Sequence, residues 1–440
     1  MNTIMKCKVS IIVTLILVTA CTPPFSPTPS KENSTDTPVV TPVRLTPKTL
    51  AMITPTPTVK PITPTSLPLP LFPLGGYVIL FAKNGDLYFQ DGTNSPIKLS
   101  RVDKDARYTL SDDNQKVLIN IQDEYAYSRL PFIINTDGTP QEQHILGNWA
   151  DQNLLWGTRL GQAEFIAGTH QVIFSTHSCN SYDTPSSCIS SLFLANLERD
   201  NDIKKLTDLG FSGPLHHENF IVSPNGKLVA VMSTTSVDIL NMDGKVIRHD
   251  ILPYKPNTPS IVFPILSWLP DSSGLLAGLP TTLFDSVAYN YVAAASIWRY
   301  TISSNSAVQI PFDTPPPLLQ TPQFSPDGKW IVYGGIGGNP EVYLQNLENG
   351  QIRMVGEATQ ASFKWAPDSK HFTVTSAGSW LGTIDMLKPI PANFFAGWVD
   401  SNHFLWVDFS GKVRVAEIKD DGLKIYDTAI NEYSLFMKPK

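Results

Sequence analysis

The chain has 440 residues and a formal net charge of −6 at pH 7, with no basic stripe along its length. Such a chain is not built to neutralise phosphates, so the composition argues against a nucleic-acid partner. Helical periodicity is nearly absent, and short β-branched and aromatic runs bounded by Gly, Pro, Asn and Asp predict an all-β protein.

Residues 1–20 predict a secretory signal peptide. Lys6 and Lys8 precede an apolar run over residues 9–18, which is too short to span a membrane. The leader ends in small residues directly before a cysteine, in the order Leu17-Val18-Thr19-Ala20-Cys21. This stretch resembles the processing box of bacterial lipoproteins, in which the cysteine is acylated and becomes the mature N-terminus.

The resemblance implies that Cys21 carries lipid and that the mature chain is held outside the cytoplasm, at the bacterial cell membrane or envelope. Several acyl chains on one residue make such an anchor effectively permanent. Removal of Lys6 and Lys8 with the leader changes the net charge from −6 to −8 (−6 − 2). The alternative is an ordinary cleaved signal peptide that happens to be followed by a cysteine.

Residues 21–75 predict a disordered stalk. The segment is rich in Thr, Pro and Ser, and its centre reads Thr54-Pro55-Thr56-Pro57-Thr58. Proline removes backbone donors, and the scarcity of large apolar side chains leaves nothing to offset the entropy of folding. We expect this segment to separate the lipid anchor from a globular domain over residues 76–440.

The four cysteines differ in position and in expected role. Cys7 lies in the leader and Cys21 at the lipidation site, which leaves Cys179 and Cys188 on either side of an eight-residue loop. In an exported chain, such a pair predicts a disulfide. A zinc site that includes His177 is the competing interpretation, but it lacks ligands, so we expect no metal.

One turn recurs along the chain and is each time followed by a hydrophobic β-run. The variants begin at Leu110, Val222, Trp268, Phe324, Trp365 and Trp398. The clearest variant contains Ser325-Pro326-Asp327-Gly328, in which Pro presets φ, Asp tolerates the next conformation and Gly closes the turn without steric cost. A turn that recurs at intervals of several tens of residues predicts a repeat architecture, here a β-propeller.

The repeats predict blades of four antiparallel strands, A to D, ordered from the central channel outwards. Eight units can be counted, so eight blades are favoured, with seven or six as alternatives because the early repeats are weak. The first unit starts at Tyr77 and has no strand A of its own. A β-prone run over residues 433–437 is expected to supply it and to close the ring, which removes an exposed sheet edge.

The unit over residues 324–344 carries a family resemblance. Its segments Phe324-Ser325-Pro326-Asp327-Gly328-Lys329, Trp330-Ile331-Val332-Tyr333 and Glu341-Val342-Tyr343-Leu344 resemble the TolB-type repeat. This WD-like propeller repeat occurs in periplasmic TolB and in the N-terminal domains of prolyl-oligopeptidase-class peptidases. The resemblance covers about residues 77–430. It implies a fold and not a function, because no counterpart of TolB's N-terminal domain and no Gly-x-Ser-x-Gly hydrolase motif accompanies it.

In a propeller, the A–B and C–D turns lie on one face and the B–C and D–A connections on the other. The repeated Ser-Pro-Asp-Gly turns are A–B hairpins, which we interpret as structural. The irregular segments fall on the B–C/D–A face, where loops held by a rigid scaffold usually bind partners. Aromatic and Arg side chains dominate binding hot spots, although they also pack loops against blades. The predicted contacts are Tyr125, Tyr127, Arg129, Tyr182, Phe284, Asp285, Tyr289, Tyr291 and Trp380.

These observations favour an envelope- or surface-anchored lipoprotein whose propeller, as a monomer without a cofactor, binds a protein or glycan partner. One alternative is a propeller hydrolase or lyase that acts on polysaccharide or peptidoglycan, but the sequence shows no catalytic constellation. Another alternative is a structural envelope scaffold. A channel with clustered Asp, Glu, His or Arg would favour the enzyme, whereas an aromatic rim around a plugged channel would favour binding.

Overall fold

A computed structural model describes the chain from residue 69 onwards, within one compact unit, Ser66–Lys440. The described part is residues 69–439 without 102–105, 122–131, 140–142, 145–158, 180–187, 200–201, 212–219, 233–235, 254–263, 280–292, 295, 312–318, 335–339, 360, 393, 421 and 429–434. The predicted leader, the lipidation site at Cys21 and the predicted stalk up to residue 68 lie outside it.

The strands form eight antiparallel sheets, which we number as blades and give from strand A to strand D. Blade 1 contains β33 (Leu435–Pro439), β1 (Tyr77–Lys83), β2 (Asp86–Asp91) and β3 (Ile97–Arg101). Blade 2 contains β4 (Ala106–Leu110), β5 (Lys116–Ile121), β6 (Phe132–Asn135) and β7 (Gln143–His144). Blade 3 contains β8 (Arg159–Phe165), β9 (Gln171–Cys179), β10 (Cys188–Asn196) and β11 (Ile203–Phe211). Blade 4 contains β12 (Phe220–Val222), β13 (Leu228–Met232), β14 (Val237–Asn241) and β15 (Val246–Arg248).

The second half of the ring repeats this order. Blade 5 contains β16 (Ile265–Trp268), β17 (Gly274–Leu279), β19 (Ser296–Thr301) and β20 (Ser306–Ile310). Blade 6 contains β21 (Leu319–Phe324), β22 (Trp330–Gly334), β23 (Glu341–Asn346) and β24 (Ile352–Glu357), and β18 (Ala293–Ala294) is added beside β21. Blade 7 contains β25 (Ser362–Trp365), β26 (His371–Thr375), β27 (Ser379–Thr383) and β28 (Leu387–Ile390). Blade 8 contains β29 (Phe394–Trp398), β30 (His403–Val407), β31 (Val413–Lys419) and β32 (Gly422–Asp427).

The prediction of eight four-stranded blades is confirmed, and so is the way the ring closes. The C-terminal strand β33 pairs antiparallel with β1, so that Met437 lies opposite Ile79 and Phe436 opposite Leu80. Strand A of blade 1 therefore comes from the end of the chain, while strands B to D come from its beginning. This pairing leaves no open sheet edge between the first and last parts of the domain.

The hydrophobic core lies between the blades. Eight clusters of buried side chains each join two successive blades, and one of them joins blade 8 to blade 1 through Val407 and Ile79. The middle strands supply most of this core because both of their faces are covered; every residue of β17 is buried. Apolar residues alone therefore make an inner strand, whereas the alternating pattern is typical of strands with one open face.

The repeated A–B turn is held by its own polar side chains. In blade 6, Ser325 Oγ donates to Asp327 Oδ1 (2.6 Å) and accepts the Trp330 N–H (2.9 Å), while Asp327 Oδ1 accepts the Lys329 N–H (3.0 Å). Gly328 adopts a φ of +69°, which glycine takes without steric cost. The motif thus fixes the geometry with which strand A enters strand B.

Candidate functional site

The two faces of the ring differ in the lengths of their connections. Five residues separate strands A and B in each of blades 2 to 7, and four do so in blade 8. The B–C connections contain from 2 to 16 residues and the D–A connections from 3 to 16. The scaffold therefore keeps one face nearly uniform and allows the B–C/D–A face to vary from blade to blade.

Most of the predicted contact residues belong to these long connections. Eight of them lie outside the described part of the chain: Tyr125, Tyr127, Arg129, Tyr182, Phe284, Asp285, Tyr289 and Tyr291. The described strand ends place their segments in the B–C connections of blades 2, 3 and 5. Their role in binding stays a prediction.

Trp380 is the predicted contact that the structure describes. It lies in β27, opposite Val374, and not in the loop where the sequence placed it, because the B–C connection of blade 7 contains only residues 376–378. Its ring is partly buried and packs against the core between blades 6 and 7, which includes Val374 and Phe372. Much of its surface is thus used within the domain.

The two cysteines predicted to form a disulfide are directly opposite each other. Cys179 ends β9, Cys188 begins β10, and the two are cross-strand partners in the register of blade 3. Directly opposite residues of antiparallel strands have Cα atoms about 4.5–5.5 Å apart. Disulfides span Cα distances of about 4.4–6.8 Å, so the backbone register is compatible with the predicted bond.

An exposed aromatic side chain on the B–C/D–A face was not predicted. Phe409 lies in the B–C turn of blade 8 and is 77% exposed. Its neighbour Asp408 holds the turn by accepting the N–H groups of Ser410 (2.8 Å) and Lys412 (3.0 Å) and by pairing with Arg414 Nε (3.1 Å). Burial raises the pKa of Asp408, but these hydrogen bonds outweigh it and lower the pKa to about 2. The signal in the sequence is a bulky apolar residue within a polar turn.

The A strands line the centre of the ring, so a side chain that is exposed in the middle of an A strand faces the channel. The exposed residues at such positions are Thr109, Gln323, Ser362 and Lys364. Lys364 Nζ lies 6.0 Å from the centroid of the Phe395 ring on the next blade. The described wall of the channel is therefore mainly neutral and polar at these positions.

Glu164 is the single acidic residue on the eight described A strands. Its Oε1 accepts the backbone N–H of Val222 on the neighbouring blade (3.2 Å), which ties it to the scaffold. Most glycosidases use two carboxyl groups that flank the scissile bond. The described A strands do not provide such a pair, and no group of three His, Cys, Asp or Glu in the described part is placed to hold a metal ion.

A fifth strand narrows the channel at blade 6. β18 comes from the 16-residue B–C connection of blade 5 and pairs antiparallel with β21, the A strand of blade 6, with Ala293 opposite Gln320. Because β21 is the innermost of the four strands, β18 occupies its channel edge. Neither residue of β18 carries a signal in the sequence that would have predicted this pairing.

On the opposite face, indole groups tie the A strands to each other. Nε1 of Trp268, Trp365 and Trp398, each at the end of an A strand, donates to a backbone carbonyl on the A strand of the preceding blade at 3.0 Å. The acceptors are Ile221, Gln323 and Lys364. These three tryptophans therefore act as clamps between blades.

The A–B turns of neighbouring blades are also bonded to one another. Ser272 and Ser369 adopt φ values of +61° and +60° at the position where Gly226 and Gly328 stand in the preceding blades. The Ser272 Oγ accepts the Asn225 N–H (3.1 Å), and the Ser369 Oγ accepts the Asp327 N–H (2.9 Å). A hydroxyl that links two blades thus accompanies a backbone conformation that costs about 1 kcal/mol or more for a residue other than glycine.

In the described part of the chain, no helix is long and apolar enough to cross a membrane. A scan of protein-family models and a search of curated proteins find no match.

Two solved structures illustrate the fold-level similarity. A crystal structure described as that of the eukaryotic initiation factor is 13% identical to this chain with a TM-score of 0.41, and the match covers 72% of this chain and 85% of that one. The crystal structure of Kluyvelomyces marxianus Hsv2 is 11% identical with a TM-score of 0.42, over 73% of this chain and 96% of that one. At these scores neither similarity bears on function, and the assignment of an eight-bladed propeller rests on the strand topology itself.

Proposed function

We propose that this chain is an envelope-anchored lipoprotein whose TolB-like propeller binds a protein or glycan partner through its B–C/D–A face. The observation that carries the proposal is the difference between the faces. A–B connections of four or five residues are repeated around the ring, whereas the B–C and D–A connections reach 16 residues. Long loops on a rigid scaffold are the usual location of binding residues.

Phe409 gives this proposal a side chain that can be tested. An aromatic ring that is 77% exposed contributes nothing to the core, while the turn beneath it is fixed by Asp408 and Arg414. Aromatic side chains held in place by a rigid backbone lose little entropy on binding and are enriched at hot spots. We therefore place Phe409 with the predicted rim contacts.

The described part of the channel supports binding over catalysis. Glu164 is the single carboxylate on the A strands and is bonded to Val222, and β18 occupies the inner edge of blade 6. A hydrolase or lyase with a channel active site needs several convergent ionisable groups. The aromatic residues predicted for the rim fit partner recognition better.

The anchor and the disulfide belong to the same proposal. Cys21 is lipidated, and Cys179 bonds to Cys188, whose backbone register fits the bond. Mass spectrometry of the full chain purified from membranes is expected to show an acylated N-terminal cysteine and a mass two protons lower before reduction than after it. Cys21→Ser is expected to move the chain from the membrane fraction to the soluble fraction; membrane retention of this variant would contradict the anchor.

The binding proposal is tested with the full chain in detergent as bait, against envelope extract and, separately, a glycan array. Phe409→Ala is expected to lower the affinity for the captured partner about tenfold, as loss of a hot spot does. Val308→Ala is the matched control, because Val308 is 62% exposed on the outer strand β20. Capture that survives Phe409→Ala and Tyr289→Ala, but is lost on Lys329→Ala in an A–B turn, would place the site on the other face.

A further inference from the structure

The last residues before the first blade are bonded to the last blade. The Phe72 N–H donates to the Asp427 carbonyl (3.0 Å), and the Asp427 N–H donates to the Pro70 carbonyl (2.9 Å). Leu71 and Asp427 form a parallel bridge. Residues 69–72, which we call the strap, thus lie along the outer edge of β32 before the chain turns into β1.

One buried side chain fastens the strap. Phe72 is 5% exposed, and its ring centroid lies 5.1 Å from Tyr77, 5.3 Å from His403 and 5.5 Å from Tyr426. By contrast, Leu71 is 67% exposed. The core cluster that contains Phe72 also includes residues of β1, β30, β31 and β33, so the strap packs on the seam where blade 1 meets blade 8.

Polar groups complete this seam. The Tyr77 hydroxyl donates to Asp400 Oδ2 (2.9 Å), His403 Nδ1 lies 2.9 Å from both Asp400 carboxylate oxygens, and Tyr426 donates to Glu417 Oε2 (2.6 Å). Burial, followed by the hydrogen bond to Asp400, raises the pKa of Tyr77 to about 12. The first residue of β1 is therefore bonded to the A–B turn of blade 8 in its neutral form.

We infer that the strap is a second closure of the ring, separate from the β33–β1 pairing, and that it protects that pairing from tension on the N-terminal segment. The argument is topological. A pull on the chain before residue 69 reaches the strap first, and β1 bears no load while Phe72 and the two backbone bonds hold residues 69–72 to blade 8. The biological load rests on the proposed membrane anchor, whereas the device itself can be measured on the chain alone.

Amide hydrogen exchange of the full chain in detergent, without a partner, tests whether the strap is a separate unit. Phe72→Ala is expected to increase exchange of the Asp427 amide about tenfold or more and to leave the amides of β1 and β33 unchanged, because local opening releases the strap alone. Leu71→Ala, with its exposed side chain on the same strap, is the matched control and is expected to change neither. An equal increase in β1 and β33, or an Asp427 amide unprotected in the original chain, would overturn the inference.

Single-molecule pulling on the chain ends tests its role under tension. Release of residues 69–76 before the ring opens is expected to give a first extension of about 25 Å, from a contour length of about 3.4 Å per residue. Phe72→Ala is expected to remove this step and to lower the force at which the ring opens, while Leu71→Ala keeps both. A ring that opens in the original chain without an earlier step, or a step that survives Phe72→Ala, would refute the strap. Neither outcome depends on partner capture, so failure of the binding proposal is a separate result.

Discussion

The A–B/C–D face and the B–C/D–A face belong to the same blades, yet they are held together differently. On the first, each turn is closed by its own Ser and Asp side chains, and turns or A strands of successive blades bond to each other through Ser272, Ser369 and the three tryptophan clamps. On the second, connections differ in length by more than tenfold residue counts at the extremes, from 2 to 16 among the B–C connections alone is eightfold. The comparison teaches that rigidity concentrated on one face leaves the other free to vary.

If this comparison is right, the largest losses of stability come from the A–B/C–D face, where blades touch. Gly244, in the C–D turn of blade 4, has a φ of +79°, and a Cβ there would overlap the Leu206 backbone of blade 3. Gly244→Ala is expected to cost about 3 kcal/mol or more in urea unfolding, because the backbone on both sides must move. Gly168→Ala is the control, since Gly168 has a similar φ of +70° with open space around it, and should cost about 1 kcal/mol. Equal losses would show that the contact between the blades is unimportant.

The serine that links two turns gives the next largest effect. Ser369→Ala keeps the positive φ and leaves the Asp327 N–H without its acceptor, so we expect a loss of about 2 kcal/mol. Ser369→Gly also removes the acceptor but relieves the backbone, and is expected to cost less than about 1 kcal/mol. Chemical denaturation of both variants decides the matter. If the glycine variant is the less stable of the two, the account of this turn is wrong.

A smaller effect, visible at low pH, is expected on the B–C/D–A face. The pKa of Asp408 is depressed to about 2 in the folded chain, so its contribution to stability is complete above its ordinary value near 4 and is lost as the pH falls through about 2. The contribution is on the order of 1–2 kcal/mol after solvent screening. Asp408→Asn is expected to flatten the stability profile between about pH 4 and pH 2. Asp420→Asn, an exposed carboxylate in the same blade, should leave that profile unchanged.

The smallest effect sharpens the comparison at a single hydrogen bond. Trp365→Phe removes the indole that donates to the Gln323 carbonyl and keeps an aromatic ring, so we expect a loss of about 1 kcal/mol. Trp330→Phe is the control, because Trp330 is also partly buried in the same cluster but makes no such bond to a neighbouring A strand. Thermal unfolding compares the two. Equal melting temperatures for both variants would mean that the clamp is not worth its hydrogen bond.

The repeated parts of the fold were predictable because a turn has a local cause. The Ser-Pro-Asp-Gly sequence determines its own hydrogen bonds, and the β-prone run near the C-terminus matched a first unit that lacked a strand A, which led to β33. Periodicity also placed most B and C strands, such as β22 and β30, close to their observed bounds. These features depend on residues that are close together in the sequence.

The features that escaped prediction depend on distant partners. The strap lies in a Pro-rich stretch that resembles stalk, and only Asp427, far along the chain, gives its backbone a partner. β18 consists of two alanines whose pairing depends on the free edge of β21, and Trp380 reads as a loop residue until Val374 stands opposite it. For the binding residues, the sequence supplied the connections but not Phe409, because exposure is a property of the assembled ring.

Eight similar blades on their own would present every incoming molecule with eight interchangeable docking directions. The two-residue strand β18 ends that equivalence, because it thickens the wall at one compass point and nowhere else among the described blades. A molecule approaching from the side of the long connections meets an off-centre opening, so that its rotation about the ring axis matters. The propeller thereby acquires a heading.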